Sequence, residues 1–245
     1  TGFDDAAGNS YAGITDTTSL SFTTADIVAP TVSSFSSSTS NGSYNAGDEI
    51  NITATTSESV QSGNTITVTL DTGDTVVLTA ASAGTTLTGT YTVGAGDTSS
   101  DLTVSSFSIG TVADTAGNAM TSTTVPSSNN IADSSAIVID TTAPTLSSSS
   151  PADDATAVAV GSNIVLNFSE AVDVESGNIV IYKTSDNSVI ETIAVGSGQV
   201  TGTGTAQITI NPSSDLASST EYYVKIAATG FDDAAGNSYA GITDT

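Results

Sequence analysis

The chain has 245 residues and a formal net charge of −24, with no His, Cys or Trp and with only two basic residues, Lys183 and Lys225. This inventory excludes catalysis by a His base, a Cys nucleophile or an Arg clamp, so we predict that the protein is not an enzyme. The acidic charge excludes nucleic acid as a partner and leaves cations as the natural ligands. No apolar run reaches the roughly 18 residues that a membrane span needs, so we expect no direct membrane insertion.

The chain repeats its own beginning at its end. The first seventeen residues, Thr1 to Thr17, recur without change from Thr229 to Thr245, at an offset of 228 residues. Identity over so long a segment predicts that a unit of about 228 residues, the length of the offset, is repeated in tandem in a longer protein. Neighbouring repeats of the same protein are therefore the first partners that we expect.

Two proline-containing linkers divide the repeat. The pattern D-x-x-A-P-T occurs at Asp26 and again at Asp140, and each copy is read as a domain junction. The sequence then predicts three parts: residues 1–26 as the last strands of a preceding copy, residues 27–140 as a first domain, and residues 141–245 as a second domain that lacks its last strand. The missing strand is visible in the earlier copy, where Leu20 and Phe22 alternate with Ser.

In the first domain, apolar residues alternate with Thr or Ser at every second position, which is the period of a half-buried strand. The alternation of apolar and polar positions shifts by one residue between Val104 and Phe107, which predicts a β-bulge. The alternating positions and the closing strand are Ile50, Ile52, Ala54, Ile66, Val68, Leu70, Leu87, Gly89, Tyr91, Val93 and residues 137–139.

The second domain follows the same scheme. Residues 216–222 are typical of the tyrosine corner that leads into strand F of a β-sandwich. We therefore predict an all-β protein with two tandem antiparallel sandwiches of about seven strands each. The alternating positions are Ile164, Leu166, Phe168, Ile179, Ile181, Ile208, Ile210, Tyr222, Val224 and Ile226.

These motifs resemble the immunoglobulin-like tandem repeats of giant bacterial surface adhesins and surface-layer proteins. The second domain is similar to the surface-layer type through NIVLNFSEAV, LASSTEYYVKI and GFDDAAGNSYAGITD, and the first is similar to large secreted adhesin repeats through SYNAGDEINITATTSESV and VADTAGNAM. The resemblance implies immunoglobulin-like sandwiches in an extracellular, cell-surface protein. It also implies a structural extender whose domain junctions are stiffened by calcium.

Three acidic motifs recur in each domain, in the entering linker, in an S-E turn and in a D-x-A-G-N turn. In a sandwich of this topology these three loops meet at one end, and converging carboxylates suit Ca²⁺, which takes six to eight oxygen ligands. Zn²⁺ would require imidazole or thiolate, which the chain lacks. The predicted calcium ligands are Asp26, Glu58, Asp114, Asn118, Asp140, Glu170, Asp173, Asp232, Asp233 and Asn237.

A local alternative remains for the D-x-A-G-N turns, because Asp and Asn often only hydrogen-bond the backbone of their own turn. This alternative is weaker for Glu58 and Glu170, because Glu is a poor turn former. A further open assignment gives four residues at the opposite end of the first domain to a site of the following domain: Asp71, Asp74, Asp97 and Asp101.

Two other functions compete with the extender. One is an adhesive module that grips a glycan or another surface, which exposed aromatic clusters would favour. The other is a filament subunit that polymerises by strand exchange, lending residues 18–24 to another copy in a filament or surface layer. The outward positions are mostly Thr, Ser and Asn, which favours the extender.

Overall fold

The computed structural model describes residues 2–243, and its regular secondary structure consists almost entirely of strands. The first sandwich contains β1 (Val32–Ser36), β2 (Gly42–Tyr44), β3 (Glu49–Val60), β4 (Thr65–Leu70), β5 (Thr75–Thr79), β6 (Gly84–Thr92), β7 (Thr98–Ser99), β8 (Val104–Thr111), a short 3₁₀ turn (Ile131–Asp133) and β9 (Ile137–Asp140). The second sandwich contains β10 (Leu146–Ser150), β11 (Ile164–Val174), β12 (Asn178–Lys183), β13 (Ser188–Ala194), β14 (Val200–Thr201), β15 (Thr205–Ile210), β16 (Tyr222–Ile226) and β17 (Phe231–Asp232). The predicted all-β class is confirmed.

Each sandwich is made of two sheets. In the first, the strand order is β1-β3-β6-β5-β4-β8 in one sheet and β2-β9-β7 in the other. In the second, the order is β10-β11-β15-β14, with β17 on β11, and β13-β12-β16. The described strands pair antiparallel except at one place, where β2 runs parallel to β9.

The alternating residues form two separate cores. Along β3, Ile50, Ile52 and Ala54 are fully buried, as a strand with one face on a core requires. An edge-to-face pair of Phe35 and Phe107, with centroids 5.6 Å apart, belongs to the same core. The other core is built around three aromatic rings, Phe168, Phe231 and Tyr239.

Two local predictions are confirmed. Leu70 pairs with Val104 and Thr69 with Ser106, so Ser105 is the extra residue of the predicted bulge. In the second sandwich, the Ala217 N–H donates to the Tyr222 hydroxyl at 3.0 Å, which is the hydrogen bond of a tyrosine corner.

Residues 2–26, which we call the tail, contain little regular pairing. Their one described pairing is an isolated bridge between Asp4 and Ser10. Leu20 and Phe22 are 74% and 86% exposed, so neither lies in a core of its own chain. Assignment of this tail to a preceding copy stays a prediction. No helix in residues 2–243 has the length and apolar character to cross a membrane.

Candidate metal centre

Glu58 and Glu170 are placed by strands and not by the turns expected from the sequence. Glu58 lies near the end of β3, and Glu170 lies in the second half of β11. The pairing register of each strand shifts around the glutamate, between Thr55 and Val60 in β3 and between Asn167 and Val172 in β11. The expectation of a turn was wrong because each strand resumes pairing after the irregularity, which behaves as a bulge at the end of the sheet.

The first cluster consists of Asp26, Glu58 and Asp114, each of which contributes one carboxylate oxygen within 4.8 Å of the others. Asp114 is 1% exposed, and its orientation is fixed by its own turn. Its Oδ1 accepts the N–H groups of Gly117 at 2.6 Å and Asn118 at 2.8 Å, and its Oδ2 accepts the Asn118 side-chain amide at 2.7 Å. That amide also donates to the Asp26 carbonyl at 3.2 Å, which ties the linker to the turn.

The second cluster repeats this geometry with Asp140, Glu170 and Asp233, again within 4.8 Å. Asp233 accepts the Asn237 N–H at 2.9 Å and the Asn237 side-chain amide at 2.8 Å. The same amide donates to the Asp140 carbonyl at 2.9 Å. The two asparagines thus use their amide nitrogens to hold the neighbouring aspartate and the linker in place.

Each linker is fastened to its sandwich by a second pair of equivalent bonds. The N–H of Thr31 donates to Ser57 Oγ at 3.0 Å, and the N–H of Thr145 donates to Ser169 Oγ at 3.0 Å. Within each linker, the Asp carboxylate accepts the N–H two residues later, at 3.0 Å in both copies. The D-x-x-A-P-T and S-E motifs therefore form the same connection between linker and sandwich in both copies, which we call the joint.

Electrostatics at the two clusters favour a cation. Burial, together with the negative charges of Asp26 and Asp114, raises the pKa of Glu58. In the second cluster, burial together with Asp140 and Asp233 raises the pKa of Glu170. These are the shifts expected where carboxylates approach one another without a compensating positive charge.

One atom in the first cluster lacks a partner. Oε1 of Glu58 is buried and receives no hydrogen bond, and such an atom is costly unless a donor or an ion satisfies it. Burial alone would raise the pKa of Asp114, but the hydrogen bonds from Asn118 and Gly117 outweigh it and hold that pKa below its usual value. The cluster thus combines an aspartate that is readily ionised with a glutamate that has one buried oxygen without a hydrogen-bond donor. A hard cation such as Ca²⁺ fits this set of oxygen ligands.

Two predicted ligands lie outside the clusters. Asp173 and Asp232 face each other across β11 and β17, and Asp173 Oδ1 accepts the Thr203 hydroxyl at 3.1 Å. β17 ends at Asp232, whereas Asp233 opens the D-x-A-G-N turn, and of the two only Asp233 belongs to the cluster. The structure does not bring Asp173 and Asp232 to the other three carboxylates.

The D-x-A-G-N turn also forms without a sandwich around it. In the tail, Asp5 accepts the N–H groups of Ala7 and Asn9 at 2.9 Å and the Asn9 side-chain amide at 2.8 Å, although all three residues are exposed. Local hydrogen bonds are therefore sufficient for the turn, as the local alternative stated. The distinctive features of the clusters are the glutamate and the linker aspartate, which local turn chemistry does not explain.

Two of the four acidic residues at the other end of the first sandwich, Asp71 and Asp97, accept hydrogen bonds from residues of the same sandwich. Asp97 accepts the Tyr91 hydroxyl at 2.5 Å, and Asp71 accepts the Ser99 hydroxyl at 2.6 Å. The carbonyl of Asp97 accepts the hydroxyl of linker residue Thr141 at 3.0 Å. Among residues 2–243, none of the four acidic residues at this end joins either carboxylate cluster.

Sequence reasoning missed the contacts between this end and the second sandwich. Besides the Thr141 hydrogen bond, a Cβ atom placed on Gly236 would lie 3.3 Å from the Asn45 side-chain nitrogen. Asn45 belongs to the loop between β2 and β3, and Gly236 to the turn of the second cluster. Strand periodicity does not relate residues so far apart in sequence. The one signal that could have indicated this contact is the polar composition of the loop that holds Asn45.

Residues 140–244 match a family model described as a bacterial Ig-like domain. The match covers the second sandwich and begins at Asp140, the linker carboxylate of the second cluster. No curated protein matches the chain. The second sandwich is thus similar to a class of domain that is non-catalytic and typically found in extracellular or surface proteins.

Proposed function

We propose that this chain is an extender segment of a long repetitive protein on the bacterial cell surface, in which Ca²⁺ stiffens each domain junction. The observation that carries the proposal is the repetition of one carboxylate cluster at the same place in two sandwiches, each cluster containing the aspartate of the entering linker. Similarity to bacterial Ig-like domains supports the class and the location.

The second cluster contains a carboxylate from the end of the preceding sandwich. Asp140 is the last residue of β9 and pairs with Thr98 of β7, yet its side chain approaches Glu170 and Asp233 of the next sandwich. An ion held there connects the closing strand of one sandwich to two segments of the following one. Rotation about the linker residues between them is then restricted, and this restriction is what we mean by a stiffened junction.

Calcium is the ion that best fits these ligands. Three carboxylates with no nitrogen or sulfur donor make an all-oxygen set, and Ca²⁺ accepts irregular geometry, whereas Mg²⁺ demands a near-ideal octahedron. Bringing three negative charges together is unfavourable, and a divalent cation reverses that penalty. Extracellular modules typically bind Ca²⁺ at about 10⁻⁴ to 10⁻³ M, which suits a surface protein.

Small-angle scattering over a calcium titration tests the proposal. We expect the maximum dimension of the wild type in calcium to differ from that in chelator, with a narrower distribution of distances in calcium. Glu170→Gln removes one charge from the second cluster and should abolish the response at this junction. Glu221→Gln makes the same chemical change at an exposed site between β15 and β16 and should respond like the wild type. Identical scattering profiles with and without the ion would overturn the proposal that calcium stiffens the domain junction.

A second candidate function, an adhesive module, is favoured by one specific observation. Tyr182 and Tyr223 stack on the outer face of β12 and β16, with ring centroids 4.9 Å apart and an interplanar angle of 5°, and Lys225 Nζ lies 6.0 Å from the Tyr223 ring. Stacked tyrosines beside a cation are a surface on which a sugar ring can lie. Binding to a glycan array that is lost in Tyr182→Ala would favour this function over a purely structural one.

A further inference from the structure

One sheet face of the first sandwich is uncharged over its central area, although the chain has 26 acidic residues. Five of the six strands in the larger sheet, β1, β4, β5, β6 and β8, contain no acidic or basic residue. In the sixth strand, β3, the acidic residues are Glu49 and Glu58, which lie toward its two ends. We call the outward side of this sheet the Thr face, because Thr occupies most of its outward positions.

The outward residues of the Thr face form rows across the sheet. In one row the pairing registers align a hydroxyl side chain from each of the six strands, in the order Ser36, Thr53, Thr88, Thr79, Thr65 and Thr111. Val77 of β5 lies on the same face and is 58% exposed, between the buried Val76 and Leu78. Thr and Val are branched at Cβ and have few rotamers, so a surface built from them loses little side-chain entropy when it is covered.

A second copy of this chain is the occupant that fits the Thr face best. A hydroxyl group both donates and accepts hydrogen bonds, so a surface of Thr side chains is complementary to itself. A chain with a net charge of −24 repels its own copies, and at the Thr face two copies can meet without bringing carboxylates together. The outward positions of this face include no aromatic ring on which a sugar could stack, which makes a glycan a poorer fit.

We propose that the Thr faces of two copies pack against each other, so that arrays of this chain associate side by side. With strands about 4.8 Å apart and about 3.4 Å per residue, three outward residues on each of six strands cover about 400 Å². A standard interface buries about 800 Å² per partner, so a single pair of faces makes a weak contact. Repetition along an array multiplies such contacts, and in this respect the inference rests on the proposed extender.

Cysteine cross-linking tests the contact, because the chain contains no Cys of its own. Thr90→Cys places a thiol on β6, in the middle of the sheet, and Thr201→Cys places one at an exposed position of β14 in the second sandwich. With a short bis-maleimide in calcium chelator, we expect Thr90→Cys to give at least about tenfold more covalent dimer than Thr201→Cys. Adding Thr79→Asp to Thr90→Cys buries a charge in the contact and should lower the yield to that of Thr201→Cys, whereas adding Thr201→Asp should leave it unchanged.

Ionic strength gives a second measure that does not depend on the Asp variants. Salt screens the repulsion between the acidic surfaces of two copies, so the dimer yield of Thr90→Cys should rise about threefold or more between about 0.05 and 0.5 M NaCl. Equal yields from Thr90→Cys and Thr201→Cys, or a yield that falls with salt, would overturn the inference. Protection of the Thr90→Cys thiol by a soluble neutral polysaccharide, without dimer formation, would assign the face to a glycan and overturn it as well. Because calcium is excluded, these failures would leave the proposed stiffening of the junction standing.

Discussion

The two sandwiches share one joint but differ in the size of their cores. Among residues 2–243, twenty-three buried apolar residues belong to the first core and thirteen to the second. The carboxylate clusters are nevertheless arranged alike in both, from the linker carboxylate to the asparagine amide. Site geometry therefore depends on local motifs and on the two strands that carry the glutamates, whereas we expect the stability of each sandwich to follow the size of its core. We expect the second sandwich to unfold first.

Core truncation should give the largest effect. Phe231→Ala removes a fully buried ring, and such changes cost about 3–5 kcal/mol of unfolding free energy. Because Phe231 packs in the smaller core, we expect the calorimetric transition of the second sandwich to disappear or fall sharply, with little change in the first. Phe35→Ala in the first core is the matched experiment. If Phe35→Ala abolished the second transition as well, the cores would not be independent.

Calcium should produce the next largest effect and should distinguish the two clusters. A ligand at a hundredfold excess over its Kd adds about 2.7 kcal/mol to the stability of the form that binds it. The first cluster takes Asp26 from the tail, whereas the second takes Asp140 from β9 of a folded neighbour. Glu58→Gln should therefore reduce the calcium shift of the first transition only, whereas Glu170→Gln should reduce the shift of both transitions. Calorimetry in calcium and in chelator measures the difference.

A smaller effect is expected in the pH dependence of the free energy of unfolding when calcium is absent. The pKa values of Glu58 and Glu170 are raised in the folded state, so the folded protein binds protons that the unfolded chain releases. The stability contributed by these groups is present below the ordinary Glu pKa of 4.5 and is lost as pH rises through the raised values.

Glu58→Gln in chelator should therefore be more stable than the wild type near pH 7, and this advantage should shrink toward pH 4. Chemical denaturation across this pH range checks the sign. Asp114 acts in the opposite direction, because its pKa is lowered: its contribution is present above its ordinary value of 3.8 and is lost only in stronger acid. A Glu58→Gln variant that is less stable than the wild type at pH 7 without calcium would contradict the proposed repulsion.

The smallest predicted effect is confined to the tyrosine corner of the second sandwich. Tyr222→Phe removes the hydrogen bond from the Ala217 N–H, and such a bond contributes about 0.5–1.5 kcal/mol. We expect a modest fall in the second transition and none in the first. Thr141→Val, which removes the hydroxyl that joins the linker to Asp97, serves as a comparison at the junction. If Tyr222→Phe left the second transition unchanged, the corner would contribute nothing measurable to stability.

The fold was largely predictable because its signals are local. Period-two alternation identified Ile50, Ile52 and Ala54 as one buried face, and the shift in alternation placed a bulge between Val104 and Phe107, where the structure has it at Ser105. The parallel pairing of β2 with β9 was not predictable, since β2 has only three residues and no apolar alternation.

The candidate site was predictable in part. Its recurring acidic motifs selected the three segments that meet in each cluster, but the choice between Asp232 and Asp233 depends on which residue begins the turn, and two adjacent aspartates carry no signal for that. The sequence predicted turns at Glu58 and Glu170, which lie in strands, because a β-bulge within a strand has no characteristic residue composition. Contacts such as Asn45 with Gly236 arise only from folding in three dimensions.

The position of Asp140 has a mechanical consequence. Tension applied along the polypeptide passes from β9 through Asp140 into the linker and then into β10, because no other covalent path joins the sandwiches. A cation bound to Asp140, Glu170 and Asp233 would lie parallel to that linker and share the tension, so that part of the force reaches β11 without passing through β10. An array of such joints would lengthen under force by releasing ions before it unfolded domains, and its extensibility would then depend on the calcium concentration of the surroundings.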